Sequence, residues 1–157
     1  MKISIVGTGM IATEVIKMLR TEAKGIEITS LFTHSNKEKA QALAKANHIE
    51  RIYTDYTQLL REDGADFVYI ALINSVHYAF VHEALEADRN VIVEKPFTMT
   101  VAEAEELAAM ALERKLYLFE AVSPLHTPNF RLVKESLGRI APIHFVTVQL
   151  LTILKQI

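Results

Sequence analysis

The chain of 157 residues contains no cysteine and no tryptophan. Without cysteine there is no disulfide framework, no thiolate nucleophile and no thiolate metal site. Glycine and proline are sparse, at five and four residues, which excludes collagen-like and low-complexity classes. Neither sign of charge dominates, since 17 Lys+Arg stand against 19 Asp+Glu for a formal net charge of −2. A broad basic footprint is therefore missing, and nucleic acid is not an expected partner. No apolar run reaches the roughly 18 residues of a membrane span, so no membrane partner is expected either. The first apolar run begins at Ile3, which leaves no room for a secretory signal, and the expected location is the cytoplasm.

What is present is a globular composition, half hydrophobic and 23% charged. Its length suits one complete domain and at most part of another. Apolar runs and helical periodicities alternate along it. Ile3, Ile5 and Val6 predict a buried strand that ends at Gly7, and Ile11, Val15, Met18 and Leu19 share the face of a following helix. A second strand is expected over residues 26–32, a helix over 37–46, a short strand over 51–53 and a short helix over 56–61. The unbroken run at 67–72 reads as a central strand, followed by a helix carrying Val76, Phe80, Ala84 and Ala87. A fifth strand is expected at 91–93. Thr100 and Glu103 have capping-box spacing before another helix, and a sixth strand is expected at 116–119. Six strands separated by helices predict an α/β fold, a doubly wound parallel sheet of the Rossmann type.

The composition shifts after Ala121. Three of the four prolines, Pro124, Pro128 and Pro142, fall in the next stretch. A helix is expected near 129–137 and a strand over 143–151. The expected organisation is a Rossmann domain over residues 1–121 and, over 122–157, the start of a truncated α/β domain.

Gly7, Thr8, Gly9, Met10, Ile11 and Ala12 match G-x-G-x-x-G/A directly after the first strand. The first glycine permits the tight turn, the second lets a pyrophosphate approach the backbone, and a small third residue lets helix and strand pack closely. Free N–H groups and the helix dipole then favour the anion. Past the second strand, Thr33, His34, Ser35 and Lys37 stand where a carboxylate would select NAD. Its absence leans towards NADP, a cofactor whose 2′-phosphate these residues could bond. The fifth strand ends in Glu94-Lys95-Pro96, and a lysine beyond a strand's carboxyl end, in a partly desolvated crevice, can exchange a proton with a substrate hydroxyl. An X-Pro bond there could be cis. Each signal also has a plainer reading: a strand-to-helix turn that binds nothing, a solvated polar loop, a surface Lys-Pro turn. His77 and His82 are five apart, off one helical face, so no metal pair is expected.

Taken together, the glycine turn at 5–12, Asp66-Phe67-Val68-Tyr69-Ile70-Ala71, Asn74-Ser75-Val76-His77-Tyr78, Ala84-Leu85-Glu86-Ala87 and Val93-Glu94-Lys95-Pro96-Phe97 strongly resemble the Gfo/Idh/MocA family, the relatives of glucose–fructose oxidoreductase and inositol dehydrogenase. The resemblance covers about residues 1–145. It implies an NAD(P)-dependent oxidoreductase, a dehydrogenase acting on CH–OH groups, whose small-molecule substrate is a sugar, polyol or related cyclic compound. It places Gly7 to Ala12 at the pyrophosphate and Thr33, His34 and Ser35 near the adenosine ribose. Ala71, Leu72, Ile73, Asn74 and His77 line the path to the nicotinamide, with Glu94 and Lys95 beside its ribose and the substrate. Lys95 is the implied catalytic lysine. Two positions depart mildly from the family pattern: Ile73, often proline, and Asp88-Arg89-Asn90, usually a glycine-led turn. The family's second domain, which supplies the rest of the substrate site and often a homo-oligomer interface, is represented here only by its beginning, so impaired activity is expected. The alternative is a non-catalytic Rossmann module that binds NAD(P) or a partner.

Overall fold

The computed structural model describes residues 1–139; the strand expected over 143–151 lies outside them. The chain divides into two compact units, Met1–Ala121 and the residues from Val122 onward. The first unit runs β1 (Lys2–Val6), α1 (Met10–Thr21), β2 (Glu27–Phe32), α2 (Lys37–Ala46), β3 (Arg51–Tyr53), α3 (Tyr56–Glu62) and β4 (Phe67–Ile70). A 3₁₀ turn (Asn74–Val76) leads into α4 (His77–Glu86), then β5 (Asn90–Glu94), α5 (Val101–Arg114) and β6 (Leu118–Ala121). The strands form one sheet in the order β3-β2-β1-β4-β5-β6, and every pairing is parallel. This is the doubly wound sheet expected from the alternation of strands and helices.

Side chains alternate across a strand, so each strand feeds two cores. On one face Ile3, Ile5, Ile28 and Leu31 pack against Ala12, Val15, Ile16 and Leu19 of α1 and Ala40 and Ala44 of α2. On the other, Val6, Phe32, Val68, Ile70, Val91 and Val93 meet Leu59 of α3, Val81 and Leu85 of α4, and Leu107 of α5. The switch of face falls between α2 and α3, where the chain crosses from the β3 edge to β4 on the far side of β1. Parallel strands covered on both faces read as continuous apolar runs, which is why the central strands stand out in the sequence.

Polar groups are placed where the backbone needs them. Asn36 and Asp55 cap α2 and α3 by accepting from the N–H of Lys39 and Gln58 at 2.9 and 3.1 Å, and Thr100 and Glu103 form the reciprocal capping box of α5. Ladder register slips between Ile3 and Ser4 against β2, leaving Thr29 as the extra residue. A bulge turns consecutive side chains towards the same side. Thr29 (2.8 Å) and Ser30 accordingly both donate to the buried Asp63 carboxylate, which Arg51 approaches at 3.2 Å.

β6 begins at Leu118, two residues later than expected. The end of α5 explains the delay. Lys115 takes the left-handed conformation (φ 56°) at the cap, and the N–H of Leu116 still bonds the helix carbonyl of Ala111 at 2.9 Å. Only beyond that cap can the chain join β5. β4 ends at Ile70, two residues earlier than expected, and Ala71 stays buried in the loop that follows. In the second unit a 3₁₀ turn (Ser123–His126) precedes α6 (Pro128–Leu137), with Pro128 opening the helix and Thr127 accepting from the N–H of Phe130 at 3.3 Å.

Candidate functional site

The carboxyl ends of β2, β1, β4 and β5 open into one cleft of about 380 Å³. It lies where β1 and β4 are neighbours although their outgoing connections run to opposite faces of the sheet, the switch point at which α/β sheets bind ligands.

The β1 end supplies residues 7–11. Gly7 has φ +124°, and a Cβ there would stand 2.3 Å from the carbonyl oxygen of Ala71 on the neighbouring β4 loop. Only glycine fits that position. Gly9 differs, because its backbone is extended and a Cβ would meet no protein atom within 4 Å. The space above Gly9 is thus open towards the cleft. No side chain caps α1 at Gly9 and its first turn holds no acid, so its leading N–H groups face the cleft free to bond an anion. Met10 and Ile11 are exposed, whereas Ala12 is fully buried against the sheet and does not line the cleft. A phosphate-bearing group fits this cradle in shape and in donor chemistry.

The β2 end supplies Thr33, His34 and Ser35. Thr33 is buried, and its hydroxyl is engaged with the backbone of Asn36 at 3.3–3.4 Å. His34 and Ser35 are exposed, and no carboxylate lines this end of the cleft.

The β4 loop brings Ala71, Leu72, Ile73 and Asn74, and β5 brings Glu94 and Lys95. Ile73 is 70% exposed, so its side chain carries little packing load. His77 is not on the cleft surface. Its ring is fully buried behind the wall, with Nδ1 2.8 Å from the Pro96 carbonyl oxygen and Nε2 3.2 Å from that of Leu72. Lys95 is exposed, so residues 1–139 do not supply the partly desolvated crevice expected around it. The Lys95–Pro96 bond is cis.

One participant, Tyr69, is not among the residues that the sequence marks as the site. The Tyr69 hydroxyl on β4 donates to Glu94 Oε1 at 2.7 Å, while Glu94 Oε2 accepts from the Lys95 N–H at 3.3 Å. Burial, and secondarily the Glu94 carboxylate, push the Tyr69 hydroxyl well above the usual tyrosine range. It therefore remains a donor and holds the carboxylate in one orientation. A tyrosine in the middle of an aliphatic strand was the available signal, since a buried phenol needs a partner. Among the described residues no three His, Asp or Glu side chains gather closely enough to hold a metal ion, and no helix is long and apolar enough to cross a membrane.

Strand order, glycine turn and switch-point cleft together define a Rossmann domain of the dinucleotide-binding type. Residues 1–122 match the Gfo/Idh/MocA family, described as an oxidoreductase family with an NAD-binding Rossmann fold, and the chain belongs to that family. An uncharacterized oxidoreductase of Escherichia coli is 30% identical over 92% of this chain and 44% of its own length. The NADP(+)-dependent scyllo-inositol 2-dehydrogenase of Bacillus subtilis is 25% identical over 93% of this chain and 44% of its own. Among solved structures, a 3-ketoreductase from Actinomadura kijaniata in complex with TDP-benzene and NADP superposes with a TM-score of 0.80 and 30% identity, covering 88% of this chain and 43% of that one. The chain thus spans less than half the length of these relatives.

Proposed function

We propose that the first unit binds a nicotinamide dinucleotide across the switch-point cleft, with NADP preferred, and that the protein is a dehydrogenase or reductase of a sugar, polyol or related cyclic substrate. The observation that carries this reading is the pairing of an uncapped α1 N-terminus with open space over Gly9, at the strand ends where Lys95 also emerges. The relatives named above support the substrate class.

In this assignment the backbone of residues 7–11 holds the pyrophosphate, and His34 and Ser35 bond the 2′-phosphate of the adenosine ribose. Residues 71–74 run along the path to the nicotinamide, with Glu94, oriented by Tyr69, bonding its ribose. The cofactor, when bound, supplies the hydride chemistry. Lys95 moves the substrate proton at Nζ, which requires a second wall to exclude water and orient the substrate. We assign residues 122–157 to the beginning of a substrate domain, a division supported by the break between compact units after Ala121. A homo-oligomer acting on a small molecule completes the proposal, on the family resemblance alone.

Fluorescence titration with NADPH and NADH tests the binding. Saturable binding with NADPH tighter is expected; tighter NADH would overturn the role given to His34 and Ser35, and no binding of either would overturn the whole reading. For the chemistry, Lys95→Ala should leave NADPH affinity within about threefold and lower turnover of a sugar or polyol by roughly a hundredfold or more, the usual scale of a lost proton-transfer group. Wild-type binding without turnover on any of a panel of such substrates would favour a module that only binds.

A further inference from the structure

We infer that His77 is a positioning residue: its imidazole ties the loop after β4 to the turn after β5 and so sets the width of the cleft at the Lys95 end. The inference rests on the dinucleotide reading above and deepens it.

The geometry is specific. His77 is the first residue of α4, completely shielded from solvent, and its ring stands between two carbonyl oxygens, Pro96 at 2.8 Å and Leu72 at 3.2 Å. Carbonyls only accept, so each tie needs an N–H from the ring. A neutral imidazole supplies one and an imidazolium two. Among the described residues neither carbonyl has another hydrogen-bond partner. The two carbonyls belong to the two walls of the cleft. Leu72 lines it directly, and Pro96 follows Lys95, which also lines it. No ladder bond joins these walls, because β4 and β5 pair only as far as Ile70 and Val93. The ring does at their ends what the ladder does below them.

The turn after β5 depends on such outside help. Pro96 has no N–H to donate, and the remaining ties come from side chains: the Phe97 N–H bonds Glu120 Oε1 of β6 at 2.9 Å, and the Lys95 N–H bonds Glu94. His77 adds the tie from α4. The adenosine end of the cleft, at residues 33–35 and the glycine turn, has no bond to the ring. A loss of His77 should therefore be felt by the nicotinamide half of the ligand and not by the adenosine half.

The test compares two ligands on the full chain: NADPH, and 2′-phospho-AMP as the adenosine half alone. His77→Leu keeps bulk and removes both ring nitrogens, and His77→Asn keeps one amide donor. With far-UV circular dichroism and a cooperative melt preserved, NADPH affinity should fall about tenfold or more in His77→Leu, with partial recovery in His77→Asn. Affinity for 2′-phospho-AMP should stay within twofold in both. Unchanged NADPH affinity, or equal loss of both ligands, would overturn the inference. So would the failure of both variants to fold, since the ring would then be a requirement of the fold rather than of the cleft. If the unaltered chain binds neither ligand, the dinucleotide reading fails first and takes this inference with it.

Discussion

Gly7 and Gly9, two residues apart, carry different physics. At Gly7 the backbone lies in a region closed to L side chains and an added methyl would collide with a main-chain oxygen at 2.3 Å. Gly7→Ala should lower stability by about 2–3 kcal/mol, read from the urea midpoint. At Gly9 the backbone suits alanine and space is open. The gain of about 0.4–1 kcal/mol from a less flexible unfolded chain roughly offsets the poorer helix cap, so stability should hardly move. The same methyl stands where the phosphate is proposed to sit, and NADPH affinity should fall at least tenfold. Equal affinity in Gly9→Ala would remove the pyrophosphate from that turn. The buried phenols give a second test. Burial first, with help from Glu94 at Tyr69 and from Glu83 at Tyr56, raises both above the ordinary value of 10.0. A value raised in the folded state means a contribution that is complete below pH 10 and lost as pH rises through the folded value. Stability should accordingly decline above about pH 10, and Tyr69→Phe should soften that decline in urea midpoints recorded from pH 8 to 11.

The helix α5 shows how one element is bounded by local chemistry. Its start was legible, because Thr100 and Glu103 satisfy each other's neighbouring N–H groups. Its end was not, because Lys115 is an ordinary helix former that here adopts a left-handed cap. Asp88 does the same after α4 (φ 56°), a conformation that glycine would adopt without strain. The left-handed conformation costs an L residue roughly 1–2 kcal/mol. Lys115→Gly should recover about 1 kcal/mol, or some 3 °C in Tm, since its exposed side chain contributes little else. An unchanged or lower Tm would show that the cap is held by something other than backbone strain. β2 illustrates the opposite dependence. Its run of apolar and hydroxyl residues predicts a strand, but the bulge at Thr29 that turns two hydroxyls towards Asp63 requires a carboxylate more than thirty residues away.

At the scale of the molecule, both apolar cores and all residues lining the cleft lie within Met1–Ala121. A fragment ending at Ala121 should therefore unfold cooperatively and bind NADPH within about threefold of the full chain, by calorimetry. Loss of binding with the fold intact would mean that later residues complete the site. The first unit also presents an aromatic cluster on the sheet, with Phe67, Tyr117 and Phe119 rings 6.0–6.4 Å apart and the latter two largely exposed. Such a cluster should make the fragment prone to self-association at high concentration.

Sequence by itself determined the fold class, the glycine turn and the strand-end position of Lys95, because each depends on residues adjacent in the chain: apolar runs, helical spacing, a conformation that Gly7 allows. Tertiary structure alone decided which residues hold those parts in place. Gly7 is required by a carbonyl of Ala71, Glu94 is aimed by Tyr69, and His77 lies behind the wall it was expected to line. Each of these depends on groups at least five residues away in sequence, brought together only when parallel strands pair and leave their carboxyl ends side by side.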